Sequence, residues 1–207
     1  MVDGDRVTGV RVRDQEIDAP IVISTVPWHA LSGLFDAVPA SLQQIAANAS
    51  ALGSLPIVTV NLWFDRAVMR EPLLGLPGRN FQWVFDRRAL VGSDASHLSL
   101  ISSGAETIVA ATNDALTAMA LGEVRDAIPA ARSAVLKKSV AVREKRSTFS
   151  LAADAPPRPG TITPINGFLL AGDWIETGLP ATIESAVLSG RWAAEHVTGS
   201  SRHQSPR

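Results

Sequence analysis

An acidic residue placed between a short apolar run and the start of a helix is the part of this sequence best suited to chemistry. The run Phe168–Ala171 predicts a buried strand, and Asp173 follows it after a single glycine. A helix is predicted over Pro180–Val197, because proline favours a first helical turn and a glycine lies just beyond the last residue. Free backbone amides and a positive dipole at a helix start attract anionic or electron-rich groups. The sequence therefore predicts that a carboxylate and a set of free amides are directed at one ligand.

The same residues also have simpler structural interpretations. Gly172 and Asp173 could form only a tight turn, and Pro180–Ile183 could be the ordinary start of an amphipathic helix. The whole pattern, rather than the aspartate alone, favours the ligand-binding interpretation. One face of the helix is apolar, and its members are Ile183, Ala186, Val187, Gly190, Ala194 and Val197.

Composition excludes several classes of protein. With 207 residues, 46% of them apolar and 19% charged, the chain is predicted to be globular rather than disordered. A net charge of −1 gives no electrostatic reason to expect nucleic-acid binding. Because the sequence has no cysteine, disulfides, thiolate metal sites and cysteine nucleophiles are excluded. The four histidines lack metal-ligand spacing, so no metal site is predicted.

Nothing in the sequence predicts secretion or a membrane span. The N-terminal residues are polar and no uninterrupted apolar run reaches spanning length, so a cytoplasmic protein is expected. The apolar loop Leu73–Leu76 leaves contact with a membrane surface open, with packing on its own sheet as the alternative.

The middle of the chain is expected to form a mostly antiparallel sheet with helices. Strands are predicted at 6–13, 21–25, 56–65, 81–87, 97–103 and 133–146, and helices at 28–35, 41–52 and 104–128. Four aromatic side chains in this part could line a long apolar cavity or could equally be core residues: Trp63, Phe81, Trp83 and Phe85. The last three are expected on one face of their strand.

The segment Ala171–Gly190, AGDWIETGLPATIESAVLSG, resembles the C-terminal flavin-binding motif of the FAD-dependent amine oxidase and phytoene desaturase superfamily. Its residues are most similar to the squalene-associated branch, the hydroxysqualene dehydroxylases. The segments Ile21–Pro27, Val60–Asp65, Gln82–Asp86 and Arg143–Phe149 resemble that branch in the same order. The Gly-x-Gly-x-x-Gly turn with which these families begin is absent from the sequence, so the chain resembles the C-terminal part of a family member.

The resemblance implies an α/β or α+β fold of the FAD-linked reductase type. Residues 1–27 and 160–199 would form a partial, discontinuous FAD-binding domain, residues 28–159 a substrate domain, and residues 200–207 a disordered tail. Asp173 would bind a ribityl hydroxyl, and the helix start would face the pyrimidine edge of the flavin. The FAD-binding residues implied are Gly172, Asp173, Trp174, Pro180, Ala181, Thr182 and Ile183.

The resemblance also implies a flavoenzyme that acts on a long isoprenoid, with reductive removal of the hydroxyl of hydroxysqualene as the expected reaction. Two alternatives stay open. One is carotenoid desaturation, in which hydride flows the other way, and the other is a non-autonomous chain that docks onto a separate FAD-binding chain. No residue is assigned as a catalytic acid or base. Arg158, which could reach a phosphate or a cavity mouth, ranks low as a site residue.

Overall fold

The computed structural model describes residues 1–88, 92 and 96–199. These residues form two compact units. Unit 1 combines Met1–Gly53 with the described residues from Phe149 onward, and unit 2 is Ser54–Thr148.

The division into units differs from the predicted domain boundaries. Residues 28–53 and 149–159, which the sequence grouped with a substrate domain, lie in unit 1. The reason is packing, because Trp28 and Phe149 share a buried core with Phe168. The assignment of the two parts to FAD and to substrate stays a prediction, and the predicted tail at 200–207 lies outside the described residues.

The described elements follow in chain order. The strands are β1 (Val2–Asp3), β2 (Arg6–Val7), β3 (Gly9–Val12), β4 (Gln15–Asp18), β5 (Val22–Ser24), β6 (Ser54–Phe64), β7 (Leu73–Gly75), β8 (Trp83–Asp86), β9 (Ser96–Ser103), β10 (Leu136–Phe149) and β11 (Phe168–Leu170). The α-helices are α1 (Gln43–Ala51), α2 (Asn113–Ala127) and α3 (Ile183–Thr198). Short 3₁₀ helices cover Trp28–Leu34, Ala40–Leu42 and Pro129–Arg132.

Unit 1 joins a hairpin, a parallel strand pair and helices around one core. β3, which lies within the predicted strand 6–13, pairs antiparallel with β4 in a hairpin, and β5 pairs parallel with β11. The Trp28 ring meets Phe149 edge to face, with ring centroids 6.1 Å apart. The largest buried side chains here belong to chain segments far apart in sequence: Trp28, Leu31, Leu42, Phe149, Ile165, Phe168, Leu170 and Trp174. Unit 1 therefore depends on both ends of the chain.

Unit 2 is built on a five-stranded sheet in the order β10-β6-β9-β8-β7. The described registers of β6 with β9, β9 with β8 and β8 with β7 are all antiparallel, as predicted. Alternate residues of β6 are fully buried, from Val58 to Phe64, and pack with the buried side of α2. The residues between them point to the other side of the sheet and are only half-buried. The sheet of unit 2 thus has a core face, which packs on α2, and an opposite face, called the second face below, which is only half-buried.

Three local predictions for unit 2 are wrong. The helix predicted from residue 104 begins at Asn113, because Gly104 adopts φ +63° and Thr112 Oγ1 accepts the Ala115 amide as an N-cap at 3.2 Å. The segment 73–75, predicted as a loop, is the edge strand β7. Phe81 precedes β8 and is fully buried in the core, so it does not share a face with Trp83.

Helix α3 lies where the sequence predicts a helix, and Gly199 ends it in the left-handed conformation with φ +67°. Its buried side, however, carries Ser185, Ser189 and Ala193. The predicted apolar face is largely exposed, with Ile183 at 86% and Val187 at 53%. The small polar side packs inward because it meets the loop after β11.

None of the helices in the described ranges combines the length and apolar character needed to cross a bilayer. Over the same ranges, no cluster of three or more histidine, aspartate or glutamate side chains is arranged to hold a metal ion.

Candidate functional site

Two parallel strands of unit 1 end beside the loop that carries Asp173. In their register, Phe168 stands opposite Val22 and Leu170 opposite Ser24. The pairing continues for one more hydrogen bond, because the Ala171 amide donates to the Ser24 carbonyl at 2.9 Å. In open α/β sheets, ligands bind beyond the carboxyl ends of parallel strands. The loop therefore leaves the sheet at the end where such sites form.

Two serines of α3 hold this loop against the helix. Ser189 Oγ lies 2.9 Å from both the amide nitrogen and the carbonyl oxygen of Gly172. Ser185 Oγ donates to the carbonyl of Asp173 at 3.2 Å and lies 2.7 Å from Thr177 Oγ1. Both serines are fully buried, so their hydroxyls satisfy backbone groups that the end of β11 leaves unpaired. The structure thus brings the predicted loop and the predicted helix start together.

Gly172 occupies a backbone conformation that suits only glycine. Its φ is +140°, and an added Cβ would lie 3.2 Å from Cδ1 of Trp174. Trp174 is 1% exposed, and its Nε1 donates to the carbonyl of Val26 at 3.0 Å. Its ring is part of the unit 1 core, so Trp174 anchors the loop by packing.

The start of α3 presents free amides. Thr182 is the N-cap, and its Oγ1 accepts the Ser185 amide at 3.2 Å. Within the described part of the chain, the amides of Ala181, Thr182 and Ile183 donate to no acceptor, and Pro180 has no amide hydrogen. Thr182 and Ile183 are exposed. A ligand at this helix end would therefore meet unpaired donors and the positive end of the helix dipole.

The Asp173 carboxylate is also uncommitted. The residue is half-buried, and its side chain has no hydrogen bond or ion pair among the described residues. Ser185 fixes the backbone of Asp173, so the position from which the side chain extends is defined. The carboxylate oxygens can accept hydrogen bonds from a ligand. At the neighbouring strand end, Ser24 Oγ is buried with no hydrogen-bond partner in the described ranges. Such unsatisfied polar groups are costly unless a ligand or water completes them.

Arg158 holds the segment that leads into α3. Its Nη1 donates to the carbonyls of Ile175 at 3.3 Å and Leu179 at 3.0 Å, and its Nη2 lies 2.8 Å from Glu176 Oε2. The guanidinium also stands over the Phe149 ring, 5.1 Å from its centroid. The Arg158 side chain is only 11% exposed. It is therefore a positioning residue for this segment, a role that the sequence interpretation missed.

Three further supports of the loop were not predicted from the sequence: Ser185, Ser189 and Thr177. A usable signal was present, because Ser185 and Ser189 lie four residues apart and so share one side of a helix. Small hydroxyl residues on that side predict contact with backbone rather than with an apolar core. The apolar stripe on the opposite side obscured this signal.

The predicted aromatic residues of unit 2 separate into two groups. Trp63 and Phe85 are half-buried and Trp83 is 46% exposed, all on the second face of the sheet. The register shows this directly, since Phe85 stands opposite Ser99 and Trp83 opposite Ile101 on β9. Phe81 is 0% exposed and belongs to the core on the other side. Three of the four side chains are thus available to a ligand, and Phe81 is not.

A cleft of about 720 Å³ in unit 1 does not coincide with the predicted site. Its walls include Val7, Val22, Phe35 and Phe168, and none of the predicted FAD-binding residues lines it. The candidate site is therefore a strand end and a helix start outside this cleft.

Comparison with known protein families gives a match over residues 2–198 to the flavin-containing amine oxidoreductases. The chain belongs to this family. The match covers both units, and it includes the whole loop and helix described above. FAD is the cofactor of the family, and the predicted α/β fold of the FAD-linked type is confirmed.

Individual relatives agree with the family assignment. Hydroxysqualene dehydroxylase from Rhodopseudomonas palustris is 37% identical over 131 residues, which is 63% of this chain and 29% of that protein. The 15-cis-phytoene desaturase from Synechococcus elongatus is 26% identical over 213 residues, which is 95% of this chain and 44% of that protein. The chain therefore spans about a third to less than half the length of these relatives.

The fold also resembles that of a solved oxidoreductase structure. The crystal structure of an oxidoreductase from Methanosarcina mazei aligns with a TM-score of 0.69 and 17% identity, over 94% of this chain and 47% of that chain. At this level of identity the likeness concerns the fold alone. The chain spans about half the length of that structure.

The described residues fit a flavin cofactor. Within the described ranges, Asp173 has a free carboxylate and the start of α3 has free amides. A flavin carries both hydroxyl groups and an electron-rich ring edge, which match these acceptors and donors.

Proposed function

We propose that this chain is part of an FAD-dependent oxidoreductase that acts on a long isoprenoid and removes the hydroxyl of hydroxysqualene to give squalene. One observation carries the proposal: the loop 172–174 is held on the first turns of α3 in a way that leaves the Asp173 carboxylate and the amides of residues 181–183 free. The identity of 37% to a hydroxysqualene dehydroxylase supports this choice of substrate.

In this proposal the cofactor-binding residues have distinct tasks. Asp173 accepts hydrogen bonds from ribityl hydroxyls, and Gly172, which has no side chain, lets the cofactor lie close to the backbone. Pro180 and the amides of Ala181, Thr182 and Ile183 face the ring edge, where the helix dipole favours electron-rich groups. Trp174 contributes by fixing the loop from within the core. FAD in its reduced form supplies the hydride that replaces the hydroxyl.

The substrate would lie on the second face of unit 2. Trp63, Trp83 and Phe85 offer apolar surface for an isoprenoid chain, and Trp83 is the most accessible of the three. Phe81 supports this face only from the core beneath it.

Cofactor binding tests the proposal directly. The purified chain is titrated with FAD, and binding is followed by the change in flavin fluorescence. Asp173→Asn should weaken binding about tenfold, because one charge-assisted hydrogen bond is lost. Asp14→Asn, which changes an exposed aspartate in the turn between β3 and β4, is the matched control and should leave the affinity unchanged. Equal affinity for all three proteins would contradict the assigned role of Asp173.

The reaction is tested with reduced FAD and hydroxysqualene under anaerobic conditions, with squalene detected by mass spectrometry. Formation of squalene in amounts that follow the protein concentration supports the proposal. Flavin binding without any squalene would refute the dehydroxylase assignment while leaving the flavoprotein assignment intact.

A second candidate function is desaturation of a carotenoid precursor. The match to a phytoene desaturase over 95% of the chain favours it. The two functions differ in the direction of hydride flow, so oxidised FAD with phytoene is the discriminating assay. A conjugated polyene product, visible as new absorbance bands, would favour desaturation.

Two further parts of the proposal concern partners. A separate FAD-binding chain would supply the pyrophosphate-binding turn that this sequence does not contain. It is tested by adding a recombinant Gly-x-Gly-x-x-Gly segment from a relative and measuring whether FAD affinity rises. Peripheral membrane contact would rest on Leu73, which is 43% exposed, since Leu76 is buried. Leu73→Ser should then reduce sedimentation with phosphatidylglycerol vesicles.

A further inference from the structure

A polar cluster lies among the aromatic side chains on the second face of unit 2. Asn61 and Ser99 stand opposite each other in the β6–β9 register, and Trp63 stands opposite His97 one step along. The His97 ring stacks on Trp63 with centroids 4.2 Å apart and an angle of 18° between the planes. Phe85 flanks Ser99 from β8. Hydrogen-bonding groups therefore lie directly beside aromatic side chains on this face.

The hydrogen bonds of this cluster determine the tautomer of His97. Ser99 Oγ donates to Asn61 Oδ1 at 2.6 Å, and His97 Nε2 lies 3.0 Å from the same oxygen. A carbonyl oxygen can only accept, so the hydrogen of the neutral His97 ring must be on Nε2. His97 Nδ1 is then a free acceptor, with no partner among the described residues.

The charges around His97 favour this neutral form. Burial lowers the pKa of His97, the positive charge of Arg87 lowers it further, and the negative charge of Asp86 opposes both. On β10, which neighbours β6 in the sheet, Lys138 also faces this cluster, with Nζ 5.1 Å from the centroid of the Trp63 ring. A neutral imidazole keeps an acceptor nitrogen that an imidazolium would lack.

We propose that His97 Nδ1 binds the hydroxyl of a hydroxylated isoprenoid whose hydrocarbon chain lies on Trp63, Phe85 and Trp83. This inference rests on the proposed function and adds the group that distinguishes an alcohol from a hydrocarbon. Asn61 and Ser99 are positioning residues, because they fix the His97 ring and its tautomer. A surface that holds only aromatic side chains would bind both kinds of chain equally well.

The test compares farnesol with farnesene, two C15 chains that differ in the hydroxyl group, and requires no flavin. Binding to the full chain is measured by tryptophan fluorescence. We expect farnesol to bind about five- to tenfold more tightly than farnesene, the preference that one hydrogen bond in a partly buried site supports. His97→Phe keeps a ring on Trp63 but removes the acceptor, so the two affinities should become equal while farnesene binding is unchanged. His196→Phe makes the same change on an exposed histidine of α3 and should keep the preference.

A second measurement uses the unsubstituted protein and so does not depend on how the variants fold. In long-range ¹H–¹⁵N spectra, farnesol should shift the Nδ1 resonance of His97, and farnesene should not. Equal affinities for the two probes, no binding of either, an unshifted Nδ1 resonance or a preference that survives His97→Phe would each overturn the inference. Dehydroxylation is assayed separately, so the two proposals can fail independently. Squalene formation without a preference for farnesol would refute only the role of His97 in binding the hydroxyl. A preference for farnesol without squalene formation would refute only the proposed dehydroxylation.

Discussion

Ser189 Oγ lies 2.9 Å from both backbone polar atoms of Gly172, the amide nitrogen and the carbonyl oxygen. One helix side chain thus completes the hydrogen bonding of the residue at which β11 gives way to the candidate site. Ser185 repeats the arrangement one turn earlier with the carbonyl of Asp173. The position of the Asp173 carboxylate relative to the start of α3 therefore depends on two buried hydroxyls.

Replacement of Ser189 should separate the loop from the helix. Ser189→Ala leaves the Gly172 amide buried without its partner, which should lower the free energy of unfolding by about 1–3 kcal/mol. Urea unfolding followed by circular dichroism measures the change. Ser103→Ala, which alters an exposed serine of β9, is the control and should be close to neutral. Equal stability of the two variants would show that the Ser189 hydroxyl does not support the loop.

Gly172 should not tolerate a side chain. Gly172→Ala places a Cβ 3.2 Å from Trp174 Cδ1 at φ +140°. We therefore expect the free energy of unfolding to fall by about 1–3 kcal/mol. The matched change Gly33→Ala meets no atom within 4 Å and has no positive φ, so it should have little effect. Thermal unfolding of both variants distinguishes the outcomes. If Gly172→Ala unfolded at the same temperature as Gly33→Ala, the protein would accommodate the close contact with Trp174 without losing stability.

The sequence alone predicted the positions of most elements, because periodicity and turn residues act locally. The hairpin of β3 and β4, the strand β6 and the helix α3 all lie where local patterns place them. It did not predict which side of α3 is buried. Six apolar residues dominate the pattern of that helix, yet Ser185 and Ser189 face inward. Their burial is decided by unpaired backbone groups of a loop, and such tertiary partners leave no periodic signal.

The candidate site was predictable in its chemistry but not in its supports. A glycine, an aspartate and a proline-led helix start predict an acceptor beside free amides. Arg158 gave no such signal, because its partners are the carbonyls of Ile175 and Leu179, and any residue type could supply those. The face predicted for Phe81 was wrong for a different reason. Its strand begins two residues later than predicted, so alternation did not apply to it.

Arg158 should require its planar, forked head group. Arg158→Lys keeps the charge but cannot reach Ile175, Glu176 and Leu179 at once, so unfolding should become easier by roughly 1–2 kcal/mol. Arg191→Lys is the control, since Arg191 is 69% exposed and its ion pair in the described part of the chain is with Glu195 on its own helix at 3.6 Å. The affinity for FAD should fall with Arg158→Lys alone, because the segment before α3 loses its anchor. If Arg158→Lys kept both the stability and the FAD affinity of the unsubstituted protein, the positive charge alone, and not the forked head group, would explain the role of Arg158.

The ion pair of Asp86 with Arg88 should make unit 2 sensitive to acid. Burial raises the pKa of Asp86, but the hydrogen bonds and positive charge of Arg88 outweigh this and lower it overall. A lowered pKa means that the carboxylate stabilises the folded state fully above the unfolded-state pKa of about 3.9. That stability is lost as the pH falls below this value and through the lower folded-state pKa. Asp86→Asn should therefore be less stable at pH 7 and should lose less stability than the unsubstituted protein between pH 4 and acid unfolding.

The comparison requires a control carboxylate that lacks a partner of this kind. Asp114→Asn serves, because Asp114 is an exposed residue in the first turn of α2. Urea midpoints measured at several pH values for the three proteins give the slopes directly. The unsubstituted protein and Asp114→Asn should show parallel acid slopes, and Asp86→Asn a flatter one. A slope for Asp86→Asn as steep as theirs would mean that the acid sensitivity arises elsewhere. In that case the hydrogen bond from Arg88 Nη2 to the Met69 carbonyl, at 2.6 Å, would hold the Arg88 side chain in place without the Asp86 carboxylate.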